Sequence, residues 1–192
     1  MKLSGSYQIN LSKEKVCEAL NDPEILKKAI PGCEEFKKNS DTEFTATATN
    51  KIGPFNASFT GDIELTDLDP PNSYKITGSG NSPVGFASGE ATVKLEDHEK
   101  GTNLIYEVEA NVGGKIAQVG SRLIDMTAKK MADIFFGKFS ELISTEDNLS
   151  VEQSSSDQIE QTTQITPKKQ NQKILIFAGG AVIIAILIYS FL

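Results

Sequence analysis

Residues able to do chemistry are sparse in this chain, and their spacing argues against most of it. His98 is the sole histidine. It sits in Glu96-Asp97-His98-Glu99-Lys100-Gly101, which reads as a hairpin turn, so an exposed titrating group is expected. No Ser/His/Asp or Cys/His frame for an activated nucleophile can be assembled around it. The two cysteines, Cys17 and Cys33, make neither a disulfide framework nor a zinc site. Cys33 follows Pro31-Gly32 and reads as a small, partly buried residue ahead of a reactive thiol. Gly78-Ser79-Gly80 and Gly113-Gly114 lie at turns or strand ends, outside the strand–loop–helix context of a nucleotide site. An acid or base acting on an apolar substrate would have to come from Tyr74, Tyr106, Asn50 or Arg122.

Composition narrows the partners. The chain has 192 residues, enough for one domain with appendages. Acidic residues outnumber basic ones 26 to 19, giving a formal net charge of −7. Nucleic acid needs a basic face, so it is excluded as a general partner. The N-terminus M-K-L-S-G-S-Y-Q-I-N lacks the apolar run of a signal peptide, which predicts a cytoplasmic domain.

The elements that must position any site follow from periodicity. Gly5 to Leu11 alternates as a strand. Ser12 can cap a short helix over Lys13 to Leu20, and Asp22-Pro23 can start a second through Ile30. Strands then follow in series around Cys33–Lys38, Thr42–Asn50, Phe55–Leu65, Tyr74–Gly78, Ala87–Leu95 and Leu104–Val112. Lys115 to Ile143 carries large apolar residues at steps of three and four, from Ile116 and Val119 to Phe139 and Leu142. That predicts one long amphipathic helix laid over a sheet. The fold class is α+β, a curved antiparallel sheet wrapped around a long C-terminal helix.

Beyond this domain, taken as residues 1–145, the composition changes. Residues 146–172 are rich in Ser, Thr, Gln, Asn and Glu and predict a flexible polar linker. Residues 173–192 end in Ile174 to Leu192, which is free of charge. As a helix that run spans about 28 Å, near the roughly 30 Å of a bilayer core. A single-pass C-terminal transmembrane helix is expected, with Lys168, Lys169 and Lys173 at the cytoplasmic interface and Tyr189 at the far one. The lipid bilayer is therefore an expected partner, and the cell membrane the expected location.

The inward phase of the sheet is unusual. Ala46, Ala48, Ala57, Gly61, Gly78, Ala87, Gly89, Ala91 and Ala110 stand where Val, Ile or Leu would normally pack. Either Met131, Phe135 and Phe139 of the helix fill the space, or sheet and helix enclose an apolar cavity. In the second case the walls would be Phe44, Ala46, Ala57, Phe59, Ala87, Gly89 and Ala91 from the sheet with Met131 and Phe135 from the helix. Tyr74 and Tyr106 would supply polar contacts. Spacing alone leaves both open.

Two motifs carry a resemblance. Asn21-Asp22-Pro23-Glu24-Ile25-Leu26 with Ile30-Pro31-Gly32-Cys33-Glu34, and Gly120-Ser121-Arg122-Leu123-Ile124-Asp125-Met126 with Phe135-Phe136 and Phe139, resemble the CoxG family, named for the G component of carbon monoxide dehydrogenase. Gly53-Pro54-Phe55, Gly61 and Pro70-Pro71-Asn72-Ser73-Tyr74 fit as well. The resemblance covers roughly residues 1 to 145 and implies a START-like helix-grip fold whose members enclose an apolar pocket. It implies an accessory protein rather than an enzyme, without a cofactor of its own. Molybdenum, flavin and iron–sulfur ligand sets are missing from the sequence. The implied partners are a molybdenum hydroxylase of the carbon monoxide dehydrogenase type and a lipophilic small molecule such as a quinone or lipid. The alternatives are a START-like cyclase or hydrolase acting on an apolar substrate, and a docking protein with no ligand.

Overall fold

The computed structural model describes residues 1–155. The rest of the expected linker, the expected membrane segment, and Lys168, Lys169, Lys173 and Tyr189 lie outside the described residues. In chain order the elements are β1 (Lys2–Ile9), α1 (Lys13–Ala19), α2 (Pro23–Ala29), β2 (Cys33–Lys38), β3 (Glu43–Ile52), β4 (Phe55–Asp69), β5 (Ser73–Ser82), β6 (Gly85–His98), β7 (Gly101–Gly114), a 3-10 turn (Lys115–Val119) and α3 (Ser121–Ser155).

The seven strands form one antiparallel sheet in the order β1-β7-β6-β5-β4-β3-β2. Strands β2 to β7 run as a meander, and β1 closes on the free side of β7. Strands β1 and β2 are thus at opposite edges, so α1 and α2 must carry the chain from one edge to the other. The caps that start these helices are those the sequence predicts. Ser12 Oγ accepts from the Lys15 N–H at 3.5 Å. Asp22 Oδ1 accepts from the N–H groups of Glu24 (2.7 Å) and Ile25 (3.3 Å), with Pro23 in the first turn.

Alternation puts one face of the sheet in the core. On β3, Phe44, Ala46, Ala48, Asn50 and Ile52 are buried, while Glu43 and Lys51 are exposed. Strand β7 buries Leu104, Tyr106, Val108 and Ala110 in the same way. The core is completed by Val16, Leu20, Ile25 and Leu26 of the short helices and by Ile124, Phe135, Phe136, Phe139 and Ile143 of α3.

The long helix departs from the sequence expectation at both ends. Lys115–Val119 is a separate 3-10 turn, and Gly120 breaks the chain direction with φ of +91°. That backbone region is open to glycine at little cost. The Gly120 N–H bonds back to Ala117 O at 3.3 Å, and α3 starts afresh at Ser121. At its other end α3 runs on to Ser155, through residues expected to belong to the linker. Neither Pro nor Gly stands between Leu142 and Ser155 to stop it. The helix is about 50 Å long at 1.5 Å per residue.

Helix α3 comes closest in backbone to α2 and to the edge strand β1, and stands off from the central strands. On the β1 side it is held by rings. Phe136 stacks on Tyr7 with centroids 4.0 Å apart and on Tyr106 at 5.7 Å. The Tyr7 hydroxyl donates to Asp133 Oδ1, one turn before Phe136. Phe135 meets Phe136 edge-on at 5.0 Å and stacks on Phe139 at 5.5 Å. Burial of an aromatic ring dominates a partly exposed hydrogen bond. Phe136→Ala should therefore lose about 3–5 kcal/mol of stability, and Tyr7→Phe about 1 kcal/mol. Urea unfolding followed by circular dichroism measures both, and equal losses would contradict this ranking.

Candidate functional site

The register lines up the inward residues in rows across the strands. One row runs Phe36, Ala46, Gly61, Gly80, Ala87, Val112. The next runs Phe44, Ile63, Gly78, Gly89, Ala110. The third is Leu65, Ile76, Ala91, Val108, Leu3. The fourth is Tyr74, Val93, Tyr106, Gly5. The first two rows place seven alanines and glycines side by side in the middle of the concave face. They form a furrow bounded by Phe36 and Phe44 at one end and by the Leu65, Ile76, Ala91 and Val108 row along one side.

Helix α3 is also small where it crosses this region. Ile124 shares a cavity of about 260 Å³ with Ala110 and Val112, near the start of the helix. Phe136 rests on Tyr7 and Tyr106 in the rows further on. Between these contacts the inward residues are Ala128 and Ala132, both buried. Two small buried residues of the helix thus lie between these contacts, and the helix backbone does not come close to the central strands. Ala128 and Ala132 are absent from the wall that spacing predicts. Their signal in the sequence is an i, i+4 alanine pair inside the apolar stripe.

Most of the predicted wall residues lie together on the concave face. Phe44, Ala46, Phe59, Tyr74, Ala87, Ala91, Tyr106 and Phe135 are buried there, and Gly89 and Met131 are half-buried. Ala57 is on β4, opposite Asn50 in register. Two of the small residues also answer a local need. A Cβ on Gly89 would come within 2.5 Å of the Glu109 carbonyl oxygen, and one on Gly61 would strike the Ser79 carbonyl. The neighbouring backbones close in on the concave side there, as they do where a sheet bends. Sheet curvature therefore accounts for part of the smallness.

The two tyrosines differ. The Tyr106 ring lies across Gly5, where an added Cβ would sit 2.6 Å from the Tyr106 hydroxyl. Tyr106 is stacked into the Tyr7–Phe136 cluster rather than aimed over the furrow. The Tyr74 hydroxyl is buried and has no hydrogen-bond partner. Desolvation raises the pKa of Tyr7, Tyr74 and Tyr106 above the ordinary phenol value, with the Asp133 carboxylate adding to the effect on Tyr7 and Tyr106.

Other candidates for chemistry are disposed of by position. His98 ends β6 at the exposed hairpin, its Nε2 3.2 Å from Gln8 Nε2. The Cys33 thiol is pushed up to about 11 by burial and donates to Glu35 O, so it is protonated at neutral pH. Asn50 Nδ2 donates to Pro31 O, and Arg122 is exposed. Among the described residues no three His, Cys, Asp or Glu side chains converge as metal ligands would. Nor is any described helix long and apolar enough to cross a membrane. A cleft of about 840 Å³ lies on the outer face of the sheet, walled by Glu43, Asp62, Glu64, Glu90 and Glu109. Such a polar wall does not suit an apolar molecule.

Exposed large apolar side chains stand near the start of α3, on β6 and, at Leu68, on β4. Met126 is 63% exposed, Leu123 38%, and Phe86 50%. The β3–β4 hairpin tip reaches the start of α3, since a Cβ on Gly53 would touch Leu123 and Val119.

A curved antiparallel sheet closed over by a long C-terminal helix, with an apolar concave face, defines an α+β domain of the helix-grip type. The family model for CoxG, the G component of carbon monoxide dehydrogenase, matches residues 5–144. The chain belongs to that family. Among solved structures, a conserved protein from Geobacillus kaustophilus is 31% identical, with a TM-score of 0.72 over 76% of this chain and 96% of that one. A protein from Mesorhizobium loti is 20% identical, with a TM-score of 0.55 over 76% and 98% of the two chains. One from Thermus thermophilus is 12% identical, with a TM-score of 0.59 over 76% and 99%. The last two share the fold. A search of curated proteins finds no match.

The tyrosines set a pH dependence. The unfolded chain ionises them near pH 10, whereas the folded chain keeps these protons to higher pH. Stability is therefore flat with respect to these groups below about pH 10 and falls as pH rises beyond it. Urea midpoints measured from about pH 8 to 11 should drop above about pH 10, and Tyr7→Phe should make that drop shallower.

Proposed function

We propose that this protein is an accessory subunit that carries a neutral lipophilic molecule, of the quinone or lipid class, between a membrane and a molybdenum hydroxylase of the carbon monoxide dehydrogenase type. Family membership supports the accessory role and the kind of enzyme served. The observation that carries the cargo reading is the furrow: alanine and glycine line two adjacent rows of the central strands, beneath a helix whose closest backbone approaches are at its flanks. A closed core of this size would ordinarily place Leu, Ile or Val there. In this reading the protein binds and delivers but does not catalyse. Its concave face offers apolar surface and phenol hydroxyls, without a paired acid and base. Cargo would pass at the end where Leu123, Met126 and the Gly53–Pro54 turn leave apolar surface exposed.

Membrane attachment in this reading is through Ile174–Leu192, whose charge-free run follows Lys168, Lys169 and Lys173. Cells expressing the full chain should yield it in the membrane fraction, and cells expressing a chain ending at Gln172 should yield soluble protein. Equal solubility of the two would remove the anchor from the proposal.

The cargo itself is tested on the full chain purified in lipid nanodiscs. Mass spectrometry of extracted lipophiles should find one compound enriched over empty discs. Ala91→Phe adds bulk to the row beside the furrow without adding charge. Its expected result is a folded protein that has lost that compound. A loss of about 1–3 kcal/mol or more in stability, with no lipophile in either protein, would show a close-packed core and leave only the docking role.

A further inference from the structure

An antiparallel meander sends its turns alternately to the two ends of the sheet. The β3–β4 turn, the β5–β6 turn and the β7–α3 junction therefore share one end. The β2–β3, β4–β5 and β6–β7 turns share the other. Contacts bear out the first grouping. A Cβ on Gly53 would touch Leu123 and Val119, and the Ile116 N–H donates to Val84 O at 3.0 Å. The Phe86 ring lies against Gly113, just before that junction.

The two ends differ in composition. Turns are normally polar. The second end follows that rule, with Asp41, Asp67, Asp69, Glu96, Asp97 and Glu99 exposed and Leu68 standing between two of them. At the first end the turns carry Gly53-Pro54 and Pro83-Val84, and both prolines are exposed. Phe86, Leu123 and Met126 are exposed beside them. Charge is divided in the same way. Cations at the acidic end are held in ion pairs, Lys13 with Asp97, Lys38 with Asp41 and Lys75 with Asp67. At the apolar end Lys51, Lys115 and Arg122 are exposed, and among the described residues none of the three is in an ion pair. Apolar side chains ringed by unpaired cations, on a chain of net charge −7, match the surface of an anionic bilayer.

We propose that this end of the domain is a membrane-docking surface. Phe86, Leu123 and Met126 enter the headgroup layer, and Lys51, Lys115 and Arg122 meet anionic lipid. The acidic end then faces away from the negative surface, so repulsion favours the same orientation. The contact is separate from the expected C-terminal anchor, and it holds whether or not the concave face carries a ligand. The two attachments are compatible. Helix α3 is about 50 Å long, and residues 156–173 reach about 60 Å when fully extended. A tail held in the bilayer therefore leaves the start of α3 free to touch it.

The chain contains no tryptophan, so a single introduced one reports its own surroundings. Met126→Trp and Leu68→Trp put it at opposite ends, both at exposed positions. Each full-length variant is reconstituted in vesicles of phosphatidylcholine, alone or mixed with phosphatidylglycerol, with bromine on the acyl chains as quencher. Met126→Trp should be blue-shifted and quenched in the mixed vesicles and much less so in phosphatidylcholine alone. Leu68→Trp should be quenched in neither. Changing Lys115 and Arg122 to Gln in the Met126→Trp chain should lower the ratio of docked to undocked protein about 5-fold per residue. The tail is the same in every sample, so it produces none of these differences. The proposal is overturned if both positions are quenched alike, or if Met126→Trp is not quenched. It is equally overturned if omitting phosphatidylglycerol, or the Gln substitutions, leave the quenching unchanged. A blue shift without quenching would put this surface against protein and overturn it as well. Absence of a lipophile from the purified protein would remove the cargo reading and leave this result standing.

Discussion

The fold depends on where α3 is held. A curved seven-stranded sheet buries one face, and that face needs a cover long enough to span it. Helix α3 has the length, but its inward residues are uneven: bulky at Phe135, Phe136 and Phe139, small at Ala128 and Ala132. The bulky part makes the contacts that fix its height above the sheet. The Tyr7–Phe136–Tyr106 stack, with Asp133 accepting from Tyr7, ties the helix to β1 and β7. The flank along α2 ties the other side. Between these supports its inward residues are the small Ala128 and Ala132.

Curvature and interior space share the same residues. Gly61 and Gly89 are needed because the adjacent strand backbone comes too close for a Cβ. Bending the sheet there turns its flanks toward α1, α2 and α3 and makes the concave face a trough. A Cβ at either position would meet backbone, so the smallness there serves the bend. A substitution at either glycine would thus disturb shape and space together. Ala46, Ala87 and Ala91 carry side chains already, so they report on space more cleanly.

Much of this is legible in the sequence. Period-two alternation on Phe44–Ile52 and Leu104–Val112 identifies the buried face, because each strand has one wet side. Ser12 and Asp22-Pro23 announce the short helices through capping chemistry that is local by nature. The furrow is legible only as a set of small residues, since its rows depend on register between strands far apart in the chain. The division of labour between Tyr74 and Tyr106 is not legible at all. Both fall in the inward phase, and only the register with Gly5 lays the Tyr106 ring toward β1. The break at Gly120 is hidden because Ile116 and Val119 keep the helical spacing across it. The run of α3 to Ser155 is hidden because the polar composition after Leu142 predicts a linker, whereas that stretch contains no residue that ends a helix.

The two faces of the sheet also separate two kinds of recognition. The outer face carries Glu43, Asp62, Glu64, Glu90 and Glu109 around an open cleft, where an apolar molecule would gain little. The concave face holds neutral side chains and one unpartnered hydroxyl. A charge placed against that face would lie among neutral side chains with no buried partner among the described residues. Two of the exposed apolar residues, Leu123 and Met126 of α3, lie near the β3–β4 turn. The supports at Phe136 and along α2 lie further down the helix. The start of α3 is set off by Gly120 from the 3-10 turn before it, and the buried Ile116 and Ile124 pack on either side of that break.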